Sequence, residues 1–427
     1  MTAHRASRGG IHDSHGKRPS PVPAKGLPHV SAQPPHLTYP VQRTTVTDPP
    51  EEYTRLQKEA PVCPITLATG FPALFVTAYD DVKTVLSDPR FSRDALFEPG
   101  APRAQLAEPD QDSIISIDPP RHSRLRGLIN REFGRRRVEG MRPEIERHVA
   151  ELLDEMETKG PPGDLNDMLG RPLALRVICN LLGVPYSDHT KFGRWCDHFM
   201  SYAKYPLAEV GRANSEMRTY LADLIETKRQ TPGEDLLSAL VQARDSEGAL
   251  TENELVSLGV ILLLAGHDTT VTALGGGVIT LLRNPEALAE LRSDPALIPR
   301  AIDEILRLNE PGDGSFLRIA TEDVELRGGR VAAGSAVVAS ISTADRDPSV
   351  FPDPERFDIH RESNPHIAFG FGTHFCVGSS LARVELESAL GALLPRFPDL
   401  GLAVPFEDLR WRSYAHLGGI EELPVRW

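Results

Sequence analysis

The sequence is poor in cysteine and in aromatic residues, and it contains no long uninterrupted apolar run. Four of its 427 residues are cysteines, at positions 63, 179, 196 and 376, which are too few and too scattered for a disulfide framework or a Cys-x-x-Cys zinc site. The absence of a run of about 18 uncharged apolar residues predicts no membrane-spanning helix. The first residues also lack the apolar core of a secretory signal, so we expect a cytoplasmic protein.

The chain is acidic, with 60 Asp and Glu residues against 47 Lys and Arg residues and a formal net charge of −13. This balance argues against nucleic acid as the main partner, because phosphate backbones bind basic surfaces. Hydrophobic residues make up 40% of the chain and charged residues 25%, which is the composition of a globular protein. Neither nucleic acid nor a membrane is therefore expected as a partner.

The first 44 residues differ in composition from the rest of the chain. Residues 1–40 contain seven prolines, five histidines and one aromatic residue, Tyr39, so they offer too little apolar surface to offset the entropy of ordering them. We expect residues 1–44 to form a flexible tail rich in proline and histidine, and residues 45–427 to form one domain. A single core of that size suggests that something bulky fills part of its centre.

One helical pattern dominates the second half of the chain. Thr251 and Glu254 form a capping box, a long apolar run follows, and an Asn-Pro pair ends the pattern. This predicts a helix over 251–283, about 50 Å long. Because it is apolar on most sides it should run through the interior. The polar sequence His-Asp-Thr-Thr at 267–270 would then lie in the core, where polar groups cost free energy unless they are satisfied.

The remaining patterns are mostly helical as well. Helices are predicted over 143–159, 172–182, 215–228, 236–244, 297–308 and 380–394, and short strands over 73–76 and 336–340. The sequence therefore predicts a mainly α fold with small β-sheets.

The most informative segment is Phe369-Gly-Phe-Gly-Thr-His-Phe-Cys-Val-Gly378. Cys376 precedes a predicted helix, where free N–H groups and the helix dipole favour a thiolate. Three glycines remove side chains around it, so a flat ligand can approach the backbone, and His374 can reach an anionic group at the ligand edge. A planar macrocycle with a central metal and acids on its rim meets these demands, which describes haem. The alternative is a glycine-rich turn around a buried, inert cysteine.

This segment resembles the haem-binding signature of the cytochrome P450 family, the haem-thiolate monooxygenases. Further motifs agree in order along the chain. The sequence Ala-Gly-His-Asp-Thr-Thr at 265–270 resembles the family's oxygen-activation motif, and Glu304-x-x-Arg307 is similar to its core ion pair. The segment 118–126 resembles the helix that holds a haem propionate. The resemblance covers roughly residues 45–427 and is to the soluble bacterial class, which implies the P450 fold with haem between the long central helix and the Cys-loop helix.

The resemblance implies a haem b cofactor and gives roles to its site residues. Cys376 would be the axial iron ligand, and Asp268 and Thr269 would deliver protons for oxygen cleavage without admitting bulk water. For these two residues the alternative is structural: Thr269 bonds a carbonyl of its own helix and Asp268 pairs with an arginine. The residues implied to contact haem are His122, Arg126, Ala265, Gly266, Arg318, Phe369, Gly370, His374 and Gly378. The buried ion network would comprise Glu304, Arg307 and Arg356.

An electron donor is expected to dock beside the cysteine. Seven arginines lie between Arg121 and Arg137 in an otherwise acidic chain, and several should remain exposed near Cys376. They would steer an acidic ferredoxin, itself reduced by a ferredoxin reductase, to this surface. The chain has no length for a fused reductase, so the electrons are expected to come from another protein.

The predicted substrate contacts mix polar and apolar side chains: Tyr202, Leu264, Ser315, Phe316 and His416. They indicate a mid-sized secondary metabolite. Several stretches, among them 199–203, are similar to the mycocyclosin-synthase branch, which couples aromatic rings of a cyclic dipeptide (a diketopiperazine). The Asp-Thr pair follows the hydroxylase pattern instead, so hydroxylation and oxidative C–C or C–N coupling both stay open. Other hypotheses are a non-catalytic haem gas sensor and a peroxide-driven oxidase, which would replace the acid–alcohol pair.

Overall fold

The computed structural model describes residues 37–41, 48–103, 110–200, 204–309, 317–412 and 418–427. All of them belong to one compact unit, His36–Trp427. Most of the tail predicted over 1–44 lies outside the described residues. Residues 37–39, which the sequence places in that tail, form an edge strand instead. Tyr39 explains this difference, because its ring is buried and stacks on Tyr53.

Helices make up most of the described chain. They are α1 (Glu51–Glu59), α2 (Tyr79–Ser87), α3 (Arg121–Asn130), α4 (Arg135–Lys159), α5 (Arg171–Leu182), α6 (His189–Met200), α7 (Leu207–Gln230), α8 (Leu236–Glu247), α9 (Glu252–Arg283), α10 (Pro285–Ser293), α11 (Ile298–Leu308), α12 (Ile341–Ala344) and α13 (Ser379–Arg396). The helices predicted over 172–182, 236–244, 251–283, 297–308 and 380–394 are confirmed to within three residues at each end.

Two helices begin eight residues before the positions that the sequence predicts. Helix α4 starts at Arg135 rather than at Pro143, and α7 starts at Leu207. A proline is most common in the first helical turn, which is why the pattern favours a start at Pro143. The earlier turns of α4 form nevertheless, because Val138 and Met141 are buried in the core.

The described strands form three small sheets. They are β1 (Leu37–Tyr39), β2 (Val62–Leu67), β3 (Pro72–Val76), β4 (Phe91–Ser92), β5 (Gly163–Asp164), β6 (Leu317–Ala320), β7 (Val324–Leu326), β8 (Gly329–Val331), β9 (Ala336–Ala339), β10 (Gly401–Leu402) and β11 (Pro424–Arg426). The largest sheet has the order β1-β2-β3-β9-β6-β4, and the others are β10-β11-β5 and β7-β8. Antiparallel pairing of β4 with β6 sets Ser92 opposite Ile319, which brings the following Arg93 close to Arg318.

Helix α9 passes through the centre of the largest hydrophobic cluster. It packs against α5, α7, α11 and α13, and its N-terminus carries the predicted capping box, with both hydrogen bonds between Thr251 and Glu254 present. By length and composition this helix could cross a membrane, but 78% of its most apolar window is buried inside the protein. The protein core therefore covers most of the apolar surface of this helix.

A buried ion network stabilises the region between α11 and the segment that follows α12. Nε of Arg307 lies 2.8 Å from Oε2 of Glu304, and neither side chain is more than 1% exposed. The second arginine is Arg361, whose Nε lies 3.2 Å from the same carboxylate and whose side chain is 7% exposed. The prediction of Arg356 for this place is wrong. The chain turns near Asp353, so Arg356 is exposed and only its backbone carbonyl accepts hydrogen bonds, from Arg307 and Arg361.

Candidate active site

The segment around Cys376 is a tight loop that ends at the start of α13. The Cys376 N–H donates to the Phe369 carbonyl at 2.8 Å, and a short 3₁₀ turn covers Gly372–His374. Gly372 has φ +75°, and a Cβ at this position would lie 2.7 Å from the Leu86 carbonyl oxygen. Only glycine fits there without moving α2. The loop therefore presents its sulfur from a fixed backbone.

The surroundings of Cys376 favour a neutral thiol, contrary to the expectation that the helix N-terminus alone favours a thiolate. Burial raises the pKa of the Cys376 thiol, while the Gly378 amide, Arg126 and Arg383 oppose that shift. Desolvation outweighs them, because a buried thiolate loses its hydration. A metal ion at the sulfur would reverse this balance, since a coordinating thiol is deprotonated by its metal. The thiolate predicted here thus depends on a bound metal.

Basic side chains from α3, from β6 and from the Cys376 loop itself converge at this place. The rings of His122 on α3 and His374 lie 4.2 Å apart between centroids. Nη2 of Arg126 donates to the Phe375 carbonyl at 2.7 Å. Arg318 on β6 is buried, and its charge lowers the pKa of His374. The four residues that the family resemblance places at the haem propionates are therefore brought together.

A fifth member of this cluster, Arg93, was not among the predicted haem contacts. It is buried, and Nη1 donates to the Leu317 carbonyl at 3.1 Å. Burial, together with the nearby charge of Arg318, lowers the pKa of Arg93 to about 9, and burial lowers that of Arg318 to about 10. The signal available in the sequence was weak. Arg93 belongs to none of the motifs that carry the family resemblance.

The cluster fits a ligand with two negative charges. Arg93, Arg126 and Arg318 all lie close to His374, and the one carboxylate beside them is Asp118, which faces Arg93 and Arg318, so with three cations and one anion the cluster keeps a net charge of +2. Burial and neighbouring cations lower the pKa of His374 to about 2, so its ring is neutral. Among the described residues, Nδ1 of His122, Nε2 of His374 and Nε of Arg318 are buried without a hydrogen-bond partner. Buried polar groups are normally satisfied, so the two propionates of haem match both the charge and the free atoms.

Phe369, Gly370 and Gly378 form the rest of the loop as the motif predicts. The guanidinium of Arg383 lies 4.5 Å from the centre of the Phe369 ring. Gly370 has φ +76°, a backbone conformation that favours glycine. A Cβ on Gly378 would stand 3.9 Å from the Cys376 sulfur, so this position keeps the sulfur approachable.

Helix α9 is buried along most of its length but is accessible around Ala265 and Thr269. Ala265 is exposed and Thr269 half-buried, while their neighbours Leu264 and Thr270 are buried. Gly266, predicted to make room for the cofactor, faces α5 instead: its Cβ would lie 2.8 Å from the Ile178 side chain. Close helix packing is therefore the reason for this glycine, and the prediction of a haem contact is corrected.

The acid and the alcohol of α9 make the contacts that the structural alternative describes. The Thr269 hydroxyl donates to the Ala265 carbonyl at 2.8 Å. Asp268 is 4% exposed, and its Oδ2 lies 3.2 Å from Nη1 of Arg412. Burial acts to raise the pKa of Asp268, but Arg412 and His267 hold it below its usual value. Asp268 is thus a charged group inside the core, held by an arginine 144 residues away.

The predicted substrate contacts are only partly described. Leu264 is 1% exposed and belongs to the main core, so it does not line an open surface. Tyr202, Ser315, Phe316 and His416 lie outside the described residues. Ile115, in the segment that precedes α3, is an exposed apolar side chain, with 46% of its surface accessible.

Comparison with known proteins agrees with this site. The cytochrome P450 family model matches residues 33–398. Nocardicin C N-oxygenase from Nocardia uniformis subsp. tsuyamanensis is 44% identical over 392 residues, covering 91% of this chain and 98% of that protein. Mycinamicin IV hydroxylase/epoxidase from Micromonospora griseorubida is 43% identical over 376 residues, covering 88% and 94%.

A solved structure supports the same assignment at the level of the fold. The crystal structure of cytochrome P450mel, described as having biaryl coupling reactivity, superposes with a TM-score of 0.84 at 40% identity and covers 88% of this chain and 96% of that one. The family model, the two enzymes and the superposition all point to one fold, and the two enzymes are named for oxygenation reactions. The chain therefore belongs to the soluble bacterial cytochrome P450 family and is a haem-thiolate oxidoreductase of the monooxygenase class.

Proposed function

We propose that this enzyme uses haem b and electrons from a separate donor to oxidise a mid-sized secondary metabolite in the cytoplasm. The observation that carries the proposal is the cationic cluster beside the Cys376 loop, formed by buried Arg93 and Arg318 with half-buried Arg126, whose net charge matches two propionates. The four free cysteines of the chain agree with a reducing compartment. Extraction of the pigment in acid and its identification by mass test whether it is iron protoporphyrin IX.

The residues that would hold the cofactor divide into two groups. Cys376 would bind the iron through its sulfur, while Arg93, Arg126 and Arg318 would neutralise the two carboxylates, and His122 and His374 would donate to them from neutral rings. When bound, a thiolate-ligated haem supplies iron that activates dioxygen with two electrons. The Cys376 loop together with buried Arg93 and Arg318 would shield the bound group from bulk water.

Thr269 and Asp268 are proposed to hold and transfer protons at the accessible part of α9. While the Thr269 hydroxyl donates to the Ala265 carbonyl, its oxygen keeps lone pairs that accept from a water molecule. That water would stand at the accessible surface of α9. Asp268 is ionised and lies one residue away, so its carboxylate can take a proton from the interior side and pass it to this water.

We expect Asp268→Asn to lower product formation about 100-fold, because general acid–base groups contribute at least that factor. Thr269→Ala should lower the amount of product formed per electron consumed, since the water is no longer held in place. Both quantities are measured with a reconstituted ferredoxin system. Thr270→Ala is the matched control, because Thr270 is the buried neighbour. Full coupling in Thr269→Ala would contradict the role proposed for the hydroxyl.

Two reaction types are proposed for the substrate step. The relatives include a hydroxylase/epoxidase, which favours insertion of oxygen, and a protein with biaryl coupling reactivity, which favours oxidative coupling of aromatic rings. An aromatic cyclodipeptide is the substrate proposed for coupling, from the sequence resemblance alone. Titration of the ferric protein with tyrosine- and tryptophan-containing diketopiperazines tests binding through the haem spectrum. Product mass then separates the reactions, because hydroxylation adds one oxygen atom and coupling removes two hydrogen atoms.

The electron donor is proposed to be an acidic ferredoxin that docks on the face next to Cys376. Phe371 and Phe375 are exposed there, at 37% and 42% of their surface. Arg131, Arg135 and Arg136 are exposed at the end of α3 and the start of α4, and Arg126 joins α3 to the cysteine loop through the Phe375 carbonyl. An apolar centre with a basic rim suits an acidic protein.

Replacing Arg135 and Arg136 together by glutamate is expected to slow the second-order reduction of the haem by about 10-fold or more at low ionic strength. Added salt should remove most of the difference, because it screens exposed charges. Stopped-flow reduction by ferredoxin measures this rate. A double variant with Arg212→Glu and Arg327→Glu, at two exposed arginines outside this face, has the same change in net charge and serves as the control. A wild-type rate that does not change with ionic strength would contradict electrostatic docking.

A further inference from the structure

The C-terminal segment reaches back to the acid of helix α9 through one side chain, that of Arg412. Nη1 of Arg412 lies 3.3 and 3.2 Å from the two carboxylate oxygens of Asp268. Nη2 donates to the Thr272 hydroxyl at 3.2 Å and to the Gly418 carbonyl at 3.3 Å. The two charged side chains are only 11% and 6% exposed. Such a pair is strongly coupled, because little water screens it.

The backbone near the C-terminus packs closely against the guanidinium of Arg412. The N–H of Arg412 donates to the Gly419 carbonyl at 2.8 Å, and Trp411 pairs with Ile420 in an isolated bridge. Gly419 has φ +141°, and a Cβ there would lie 2.7 Å from Nη2 of Arg412 and 2.7 Å from the Thr272 hydroxyl. A side chain at position 419 would therefore displace the guanidinium from Asp268.

Four ionisable groups face the Asp268 carboxylate. Arg412 reaches it from the C-terminal segment, Arg171 from α5 and Cys196 from α6, while His267 is its neighbour on α9, with Nδ1 3.8 Å from Oδ1. Burial lowers the pKa of His267, so its ring is neutral, and burial raises that of Cys196, so its thiol is neutral. Arg171 has its own carboxylate partners on Asp167 and Asp164. Arg412 is therefore the cation in direct contact with Asp268.

We propose that Arg412 is a positioning residue that keeps Asp268 ionised and fixes the direction of its carboxylate on α9. The inference rests on the role in proton delivery proposed above for Asp268. A carboxyl group that kept its own proton in the apolar core would hold it there rather than pass it on. By favouring the carboxylate, Arg412 lets Asp268 accept a proton and release it again in each turnover.

The proposal has a direct consequence for the Asp268 titration. Without the cation, desolvation loses its main opposing interaction, and the pKa of Asp268 should rise by at least about one unit, the smallest effect usual for a close opposite charge. In the wild type the lowered pKa stabilises the fold above the unfolded pKa, and this stability is lost as the pH falls. In Arg412→Gln the pH dependence of stability has the opposite sign. A carboxyl group whose pKa is raised in the folded protein destabilises the fold as the pH increases. The stability gap between the two proteins should therefore widen from acid to neutral pH.

The test compares Arg412→Gln, Arg412→Lys, Asp268→Asn and the Arg412→Gln/Asp268→Asn double variant as ferric holoproteins. Infrared difference spectra recorded across pH should show the Asp268 carboxyl protonating at a higher pH in Arg412→Gln than in the wild type and in Arg412→Lys, with no such band in the double variant. Chemical denaturation across pH should show the widening gap for Arg412→Gln, and this pH dependence should vanish in the Asp268→Asn background. Coupling of electrons to product should fall in Arg412→Gln and recover in part in Arg412→Lys.

The outcomes separate this inference from the proposed function. If Asp268→Asn retains full product formation, the role of Asp268 fails. If Asp268→Asn is impaired but Arg412→Gln shifts neither the carboxyl titration nor coupling, only the role of Arg412 fails. Should Arg412→Gln not fold, the wild type alone decides: a protonated-acid signal at neutral pH that disappears in Asp268→Asn would overturn the proposal, and its absence supports it.

Discussion

Cys376→Ala is expected to eliminate thiolate ligation of the haem completely. The loop offers one sulfur to the iron, and alanine provides no donor atom at that position. The cationic cluster would remain, so some haem can still bind through its propionates, but without the axial bond we expect a lower haem content and the loss of the thiolate spectrum. Absorption spectra of the ferric and reduced proteins, scaled to protein concentration, measure both effects.

The matched control for this prediction is Cys179→Ala. Cys179 is 1% exposed, and burial raises its pKa to about 12, so it is a buried thiol with no route to a metal. Its removal should leave haem content and spectrum unchanged. A thiolate spectrum that persists in Cys376→Ala would mean that another cysteine ligates the iron, and the assignment of the loop would fail.

Arg361→Ala is expected to destabilise the folded protein by about 3–5 kcal/mol, because it removes one member of a buried ion network. Glu304 accepts hydrogen bonds from Arg307, Arg361, Asn364 and the Asp358 amide. Without Arg361, the buried Glu304 carboxylate is paired with Arg307 alone, so its negative charge is less fully neutralised. The free energy of unfolding is measured by denaturant titration of the holoprotein.

The control for the network is the arginine that the sequence pattern indicates in its place. Arg356 is exposed and contributes only its carbonyl, so Arg356→Ala should change stability by no more than about 0.5 kcal/mol, as is usual for surface substitutions. The reverse order, with Arg356→Ala the more damaging variant, would show that the network includes Arg356 in solution.

Local signals in the sequence were sufficient for the elements that carry the chemistry. The capping box at Thr251 fixes the start of α9 to within one residue, since both partners lie within one helical turn. The glycines around Cys376 identify the loop. Gly372 is required because the backbone of Leu86 comes close to it, and this requirement holds whatever side chain stands at position 86. His122 and Arg126 are four residues apart and so share a helix face.

The contacts that the sequence did not reveal join residues far apart along the chain. Arg412 reaches Asp268 across 144 positions, and Arg93 reaches the Leu317 carbonyl across 224, so no spacing rule connects them. Gly266 was misassigned for a related reason. A glycine in a helix can accommodate a ligand or a neighbouring helix, and only the position of Ile178 on α5 decides between them.

The carbon monoxide difference spectrum of the reduced wild-type protein tests the central claim most directly, because its band position reports the atom opposite the bound gas. With the Cys376 sulfur on the iron, the spectrum should show the strongly red-shifted Soret band of a thiolate-ligated haem. A band at the position of a histidine-ligated haem, or a protein that takes up no haem when supplied with it during expression, would contradict the account.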